Sequence, residues 1–432
     1  MPSARKTKKT AWLIFAVLSI PYLLVYFQRV APAVVADRLM ADFRISGASL
    51  GNLTAIYFYI YTLMQIPAGI LADSLGARRT VTIGSFVAGA GSFLFGFAPG
   101  ITTAYMGRFL VGLGVSIIFI PILKICTEWF EPKRFAAMSG LTLLIGNTGA
   151  LLASAPLALM ANKVGWRAAF LIIGMIGLIS GFLSFVFVRD RPADVHLPAP
   201  EGTGEQSSRA TLPDVLRGLK TVMLNPKSWP PFMAFFGIYG TLMSFQGAWG
   251  ATYLMHNYGI NRLEAASAIL PIALGMMIGS PAIGHISDRL GSRKMPFFTL
   301  SLMYMAVWLF LRFSPGGKPG LGLFPVMFFI MGLSASGFIL SWAIGKEANP
   351  MRLSGSAMGF TNMGGFLGAA LMQPIFGFAL DMKWQGQSLA GARVYPLEAY
   401  HLAFAICIAM IGLSLLFILA VKEKQKGNTS AF

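Results

Sequence analysis

The sequence predicts an all-α membrane protein of twelve transmembrane helices, arranged as two pseudo-symmetric six-helix bundles. Three observations lead to this fold class. Hydrophobic residues make up 56% of the 432 residues and charged residues only 12%, whereas a soluble protein carries roughly 25% charged residues. The apolar residues form twelve runs, each long enough for the roughly 20 residues of a membrane helix. The two sets of six runs also share motifs at constant spacings.

The twelve runs fall into two sets separated by a polar stretch. They lie at roughly 11–36, 50–72, 79–98, 101–125, 135–160 and 167–188, and then at 229–256, 263–287, 295–313, 321–345, 354–380 and 398–421. Basic residues precede the first run, as they precede a signal peptide, but this run is too long for one and eleven more follow. We therefore expect it to be the first membrane span.

The division into domains follows from these runs. We expect a first six-helix bundle over 1–188, a cytoplasmic linker over 189–228, a second bundle over 229–421 and a cytoplasmic tail over 422–432. The linker begins with a stretch rich in Pro, Gly, Ser and charge, which is typical of flexible segments. Its second part, 212–224, has apolar residues at helical spacing and predicts an amphipathic helix on the membrane surface.

The net charge of +18 does not indicate a nucleic-acid-binding protein, because the basic residues lie at the ends of apolar runs. With a cytoplasmic N-terminus, 22 of the 34 Lys and Arg residues fall on the cytoplasmic side, as the positive-inside rule requires. The sequence thus predicts an inner-membrane protein with both termini in the cytoplasm. Cys126 and Cys407 lie in apolar surroundings and are interpreted as small core residues. No metal site or cofactor is predicted.

The two sets of runs share two motifs. Gly, Asp, Gly and Arg recur at an offset of 215 residues after the second and eighth runs: Gly69, Asp73, Gly76 and Arg78 match Gly284, Asp288, Gly291 and Arg293, and Arg79 matches Lys294. Gly146 and Gly149 match Gly365 and Gly368 at an offset of 219. The glycines allow close helix approach and a tight turn. Repeated halves of this kind hold their binding site at the interface between them.

Over essentially its whole length the chain resembles the major facilitator superfamily. The segment from Gly69 to Arg79 looks like that family's G-x-x-x-D-x-x-G-x-R-R loop, and Arg108 to Gly114 looks like its R-x-x-x-G-x-G motif. Ser74 departs from the basic residue often found there. The resemblance implies a secondary transporter that works by alternating access, and a loop cluster that latches the cytoplasmic side. The alternative for the loop is a solvated salt bridge of about 0–1 kcal/mol.

Arg29 is the first candidate for binding a substrate, because an ionisable residue within a membrane span is costly and usually functional. Tyr22, Tyr26 and Arg29 share one helical face. A guanidinium beside phenols suits a carboxylate or phosphate. The segment also resembles the first span of the family's organic-anion branch, the sialin and galactonate type, with Gln28 in place of the Asp of a Tyr-x-Asp-Arg pattern. The alternative is that Arg29 snorkels to water.

Other polar residues fall within spans. The predicted substrate-binding set is completed by Tyr57, Tyr61 and Gln65 in span 2, Arg108 in span 4, Gln246 and Trp249 in span 7, and Asn362 in span 11. Arg108 is equally compatible with substrate contact and with a structural role, and Asn147 and Asn362 with lining a cavity or bonding a neighbouring helix. Lys124 is expected to anchor the cytoplasmic end of its span.

No Asp, Glu or His falls in the middle of a span, so the side chains that usually carry a coupling proton are missing. Coupling by anion exchange, a proton that enters with the substrate, and uniport all stay open. The competing function on the same fold is a drug or metabolite exporter, which the embedded positive charges disfavour. A sensor or an enzyme is disfavoured because no nucleophile–base pair or nucleotide loop appears. The expected partners are an anionic small molecule, the lipid bilayer and a coupling proton or counter-anion, with the protein as a monomer.

Overall fold

The computed structural model describes residues 2–131, 134–198 and 212–421. These residues are helical almost throughout, with one short hairpin. The chain divides into two compact units, the first made of residues 1–45 and 53–212 and the second of residues 46–52 and 213–432. The boundaries between the units therefore fall at 212/213 in the linker, at 45/46 just before a helix near the N-terminus, and at 52/53 inside that helix.

The helices of the first half follow the predicted runs. They are α1 (Pro2–Val34), α2 (Ala36–Phe43), α3 (Gly47–Leu63), α4 (Gln65–Ser74), α5 (Ala77–Gly96), α6 (Ile101–Ser116), α7 (Phe119–Trp129), α8 (Phe135–Leu152) and α9 (Ala155–Phe187). Predicted span 2 is broken at Met64 into α3 and α4. Helix α9 contains a kink at Gly165, where φ is 84°. Only glycine adopts this backbone conformation without strain, so Gly165 separates the end of span 5 from span 6.

The second half repeats this plan after a linker helix. Its elements are α10 (Leu212–Leu224), α11 (Trp229–Ser244), α12 (Gly250–Tyr258), α13 (Arg262–Leu290), α14 (Lys294–Phe313), α15 (Phe324–Ala335), α16 (Leu340–Glu347), α17 (Ser354–Met382), β1 (Ser388–Leu389), β2 (Ala392–Arg393) and α18 (Leu397–Ala420). A π-helical turn over 245–249 joins α11 to α12. Strands β1 and β2 pair antiparallel, around a two-residue turn with φ of 50° at Ala390 and 84° at Gly391, and the sequence had not predicted this hairpin.

Eight helical stretches of the described residues are long and apolar enough to cross a membrane. The other four predicted spans coincide with α3–α4, α5, α8 and α11–α12, which are broken, shorter or less apolar. The prediction of an all-α membrane fold is confirmed, and the count of twelve spans is consistent with these helices.

The glycine repeat has the same physical role in both halves. A Cβ on Gly149 of α8 would overlap the carbonyl of Leu23 in α1, and a Cβ on Gly368 of α17 would overlap the carbonyl of Phe236 in α11. The fifth span therefore packs backbone to backbone on the first, and the eleventh on the seventh. Because any side chain would force the helices apart, the repeat records a helix contact rather than a ligand site.

The linker helix α10 packs on the second unit through one face. Val222 is fully buried against Phe232, Ala357 and Phe360, whereas Leu216 is 49% exposed. The flexible segment predicted before this helix falls largely on residues 199–211, and the predicted tail on 422–432; both lie outside the described residues.

Candidate functional site

Arg29 lies inside the first unit and contacts two tyrosines. Its side chain is only 6% exposed, so it does not extend to the surface as the snorkelling alternative requires. The guanidinium carbon lies 4.3 Å from the centre of the Tyr26 ring and 5.7 Å from that of Tyr61. Tyr22 packs edge-on against Tyr26 at 5.6 Å. The α1 face predicted from helical spacing is thus a cation surrounded by phenol rings.

Helix α3 adds two stacked tyrosines to this group. The rings of Tyr57 and Tyr61 lie 5.8 Å apart at an angle of 18°. The Tyr57 hydroxyl donates to the Val25 carbonyl at 3.0 Å, which ties α3 to α1. The guanidinium of Arg108 in α6 lies over the Tyr57 ring at 5.5 Å.

We call Tyr22, Tyr26, Gln28, Arg29, Tyr57, Tyr61 and Arg108 the arginine–tyrosine cluster. All seven residues belong to the first unit. It joins the two embedded arginines, which sequence spacing alone could not place together.

Arg108 is completely buried and only partly paired. Its Nη1 donates to the Gln28 backbone carbonyl at 3.1 Å and lies 3.4 Å from Oε1 of the same residue. Gln28 in turn donates through Nε2 to the Ser92 hydroxyl at 2.5 Å. The Nε and Nη2 atoms of Arg108 have no hydrogen-bond partner among the described residues. These two N–H groups form one edge of the guanidinium, and this edge can bind a carboxylate through two parallel hydrogen bonds.

Three further polar residues of the first unit were singled out by the sequence. Gln65 is half-buried at the first position of α4. Lys124 donates to the carbonyl of Ala72 in α4 at 3.0 Å. Asn147 donates to the Leu143 carbonyl of its own helix at 3.0 Å.

In the second unit, Trp249 packs against α17. Trp249 is fully buried, its indole N–H donates to the Gln373 carbonyl at 3.3 Å, and its ring lies parallel to that of Phe376 at 6.1 Å. It packs in the core because a helical face of aromatic residues buries as readily against helices as against a ligand. Gln246, in the π-helical turn, and Asn362, in α17, are half-buried.

The first loop motif is arranged around Gly76, whose φ of 84° starts α5. The backbone N–H of Arg78 donates to Asp190 Oδ1 at 2.8 Å, and its guanidinium donates to the Phe185 carbonyl at 2.9 Å. Asp190 therefore provides an acid at the start of α5. The side chain of Asp73 lies outside the described residues.

The signal for Asp190 was present in the sequence, since it is an acidic residue directly after span 6. Arg79 is exposed. A Cβ on Gly69 would meet nothing within 4 Å, and the same holds for Gly284. Neither glycine makes the close helix contact that was expected of it, because both face open space.

The second loop motif forms a compact ion-pair group. Gly291, with φ of 65°, ends α13, and Arg293 Nη1 lies 2.5 Å from Asp288 Oδ1. Arg293 Nε lies 3.4 Å from Glu347 Oε1. Partial burial disfavours the charged form of Arg293, but the two carboxylates outweigh it and raise its pKa.

Comparison with known proteins gives a consistent result. Residues 18–373 match the family model described as Major Facilitator Superfamily. The chain is 26% identical to a hexuronate transporter of Bacillus subtilis (strain 168), with 82% of this chain and 85% of the relative covered. It is 23% identical to a D-galactonate transporter of Escherichia coli O6:H1, with 98% of each covered.

The chain is also similar to a protein named as a sensor and to a transporter of known structure. The chain is 24% identical to the membrane sensor protein UhpC of Escherichia coli (strain K12), with 84% of this chain and 85% of the relative covered. Among solved structures, a bacterial homologue of the human lysosomal transporter Spinster matches with a TM-score of 0.77 and 16% identity, covering 95% of this chain and 97% of that one. At this identity the structural match supports the fold alone.

Proposed function

Because the chain belongs to the Major Facilitator Superfamily, we propose that it carries a small organic anion across the bacterial inner membrane and binds it at the arginine–tyrosine cluster. Transporters of this fold expose a central site alternately to the two sides of the membrane. The proposal adds to this mechanism the chemistry of the substrate and the residues that hold it.

The open edge of Arg108 carries the proposal. A buried guanidinium without a hydrogen-bonding partner for two of its nitrogens is costly, because an interior of low polarity does not replace the lost water. A carboxylate on the substrate would accept from Nε and Nη2 together, while Nη1 stays on Gln28. The second cation, Arg29, and the phenols of Tyr26 and Tyr61 add charge and hydrogen-bond donors.

The relatives support the same class of substrate. The hexuronate and D-galactonate transporters carry, by their names, sugar acids with a carboxylate. The competing drug or metabolite exporter is disfavoured for amines, since two buried cations repel a cationic solute. The relative named as a membrane sensor gives a second candidate: a protein that binds the anion and reports it without net transport.

The composition of the cluster limits how transport can be coupled to an ion. Gln28 is neutral, and the hydrogen bonds of Arg108 among the described residues go to Gln28 alone. The cluster itself thus lacks a carboxylate or imidazole to carry a proton. Uptake into proteoliposomes distinguishes the three coupling mechanisms. Uptake that depends on an internal anion indicates anion exchange. In the absence of an internal anion, uptake that depends on a pH gradient indicates a proton carried with the substrate, and uptake that depends on neither indicates uniport.

We also propose the cytoplasmic roles of the two loop motifs. The groups at Arg78 and Asp190 and at Arg293, Asp288 and Glu347 hold helix ends together. Given the charge asymmetry, these ends and both termini face the cytoplasm. Each group acts as a latch that closes in one state of the cycle. A thiol introduced next to either motif should react with an impermeant reagent only in inverted vesicles.

The deciding experiment screens purified protein by thermal shift against carboxylates, phosphates, sugars and amines, and then measures uptake of the best ligand. Arg29→Ala and Arg108→Gln should abolish the shift and the uptake, while both variants reach the membrane at normal levels. The exposed Lys163→Ala serves as the matched control. Normal anion uptake by Arg29→Ala would refute the anion proposal, and ligand binding without flux would favour the sensor.

A further inference from the structure

The carboxylate of Asp381, at the end of α17, holds the beginning of α3. Its Oδ1 accepts from the Gly47 backbone N–H at 2.9 Å and its Oδ2 from the Ala48 N–H at 2.7 Å. The Ser46 hydroxyl accepts from the N–H of Ser49 at 3.3 Å. The first four N–H groups of a helix, counted from its N-cap, have no partner within it, and here those of Gly47, Ala48 and Ser49 are satisfied. A negative charge is also favoured at this end of a helix.

Two side chains from the segment between α17 and α18 fix this carboxylate. Arg393 Nη1 lies 3.0 Å from Asp381 Oδ1, and the Tyr395 hydroxyl donates to the same oxygen at 2.8 Å. Strand β2 supplies Arg393, whose guanidinium stacks on Trp384 at 4.2 Å. Burial, followed by the charge of Asp381, raises the pKa of Tyr395, which keeps the hydroxyl a donor. We call Asp381, Arg393 and Tyr395 the aspartate clamp.

The first two turns of α3 lie directly against α17. A Cβ on Gly47 would come within 2.7 Å of the Tyr395 hydroxyl and 2.9 Å of the Gly377 carbonyl. A Cβ on Gly51 would come within 2.6 Å of the Gln373 carbonyl. The contact therefore joins two backbones with no side chain between them, and the clamp fastens its end.

Helix α3 is divided between the two units. Residues 46–52 group with the second unit, whereas α3 from residue 53 onward groups with the first. Tyr57 and Tyr61 stand on that later part. Tyr57 lies about 14 Å along the helix from Ala48 at 1.5 Å per residue, so a displacement at the start of α3 is transmitted to the cluster by a continuous helix.

We propose that Asp381 is a positioning residue for transport: the aspartate clamp holds the start of α3 in the second unit, and its release is an obligatory step of the cycle. In alternating access the two repeats of such a fold move as bodies around the site. A helix that begins in one unit and continues in the other cannot keep both sets of contacts throughout that motion. The clamp is the most polar part of this attachment, so it sets how readily α3 detaches. This rests on alternating access and not on the charge of the substrate.

The test measures how often the start of α3 becomes accessible. Ala48→Cys keeps the backbone N–H and places a thiol at the clamp, while the native Cys126 and Cys407 are buried. Full-length protein in detergent is alkylated with a maleimide, without any substrate. Asp381→Asn should raise the alkylation rate at least about tenfold, because the amide has a single acceptor oxygen: one of the two N–H groups loses its acceptor and the bond of the other is no longer charge-assisted. Glu398→Gln, which removes an exposed acid from the first turn of α18, should leave the rate unchanged.

Three readouts decide the outcome. Asp381→Glu should restore slow alkylation in part, and Tyr395→Phe, which removes one donor, should give an intermediate rate even if Asp381→Asn fails to fold. In proteoliposomes, the clamp variants should change the turnover number while ligand affinity stays at the parent value. Alkylation of both Asp381→Asn and Tyr395→Phe at the parent rate would overturn the proposal, and so would a loss of affinity with unchanged turnover.

Discussion

Gln28→Glu would place a negative charge beside Arg108 with little change of shape. The side-chain oxygen already lies 3.4 Å from Arg108 Nη1. At an effective dielectric constant of 20, opposite charges at this distance interact by about 5 kcal/mol. Desolvation of the new carboxylate opposes much of this gain, so the protein's stability should change little. An anionic ligand, however, would meet an arginine that is already neutralised.

The expected loss of ligand affinity is large and depends on pH. If the free energy of ligand binding becomes less favourable by half of this ion-pair energy, the affinity falls about 100-fold, since each 1.4 kcal/mol is a factor of ten. Protonation of the introduced carboxylate makes the side chain neutral, as glutamine is. The ratio of variant to parent affinity should therefore recover as the pH falls through the pKa of the introduced carboxylate and be lost as it rises.

The assay is equilibrium binding of the best anion from the screen, at a series of pH values. Ser92→Ala is the matched control, because it removes the other partner of Gln28 without adding charge, and it should retain most of the affinity. Parent-like binding by Gln28→Glu at neutral and alkaline pH would show that the ligand does not contact Arg108, and the proposed role of the cluster would fail.

Two further predictions concern stability, measured as the melting temperature of the purified protein. Gly76→Ala should destabilise by about 1–3 kcal/mol, because φ is 84° there and a Cβ would collide with the Asp190 carboxylate; Gly69→Ala, with open space around its Cβ, is the control and should lose nothing. Val222→Asp should cost several kcal/mol by burying a charge in the contact of α10, while Leu216→Asp, at 49% exposed, should be tolerated; equal losses for the two would mean that α10 does not pack as described.

Sequence reasoning recovered the fold because a membrane helix has a strong local signal. Twelve apolar runs and repeated glycines needed no tertiary information, and the pairs Gly146–Gly365 and Gly149–Gly368 occupy matching helix contacts. The departures lie where the backbone deviates from a regular helix, for example at Met64 and in the 245–249 turn. Composition carries no signal for these breaks.

The candidate site was recovered only where one helix holds several of its residues. Tyr26 and Arg29 share a face of α1, so their spacing was sufficient. The meeting of Arg29 with α3 and of Gln28 with Arg108 depends on helix packing, which spacing does not contain. The packing of Trp249 on Gln373 and Phe376 was not predicted, because aromatic residues on one helical face do not reveal what that face contacts. Asp381 was passed over because acids at helix ends are common, and its partners at the start of α3 are more than 330 residues away in sequence.

The unsatisfied edge of Arg108 has a practical consequence for anyone who purifies this protein. Sulfate, phosphate, citrate and acetate in ordinary buffers are themselves acceptors of the right charge, so each competes for the same guanidinium. A competing ion that binds only the folded state raises the melting temperature as the logarithm of its concentration and weakens every apparent ligand affinity. The buffer anion must therefore be controlled in every binding experiment. Comparing the melting temperature in chloride and in sulfate buffers is a simple first test of anion selectivity.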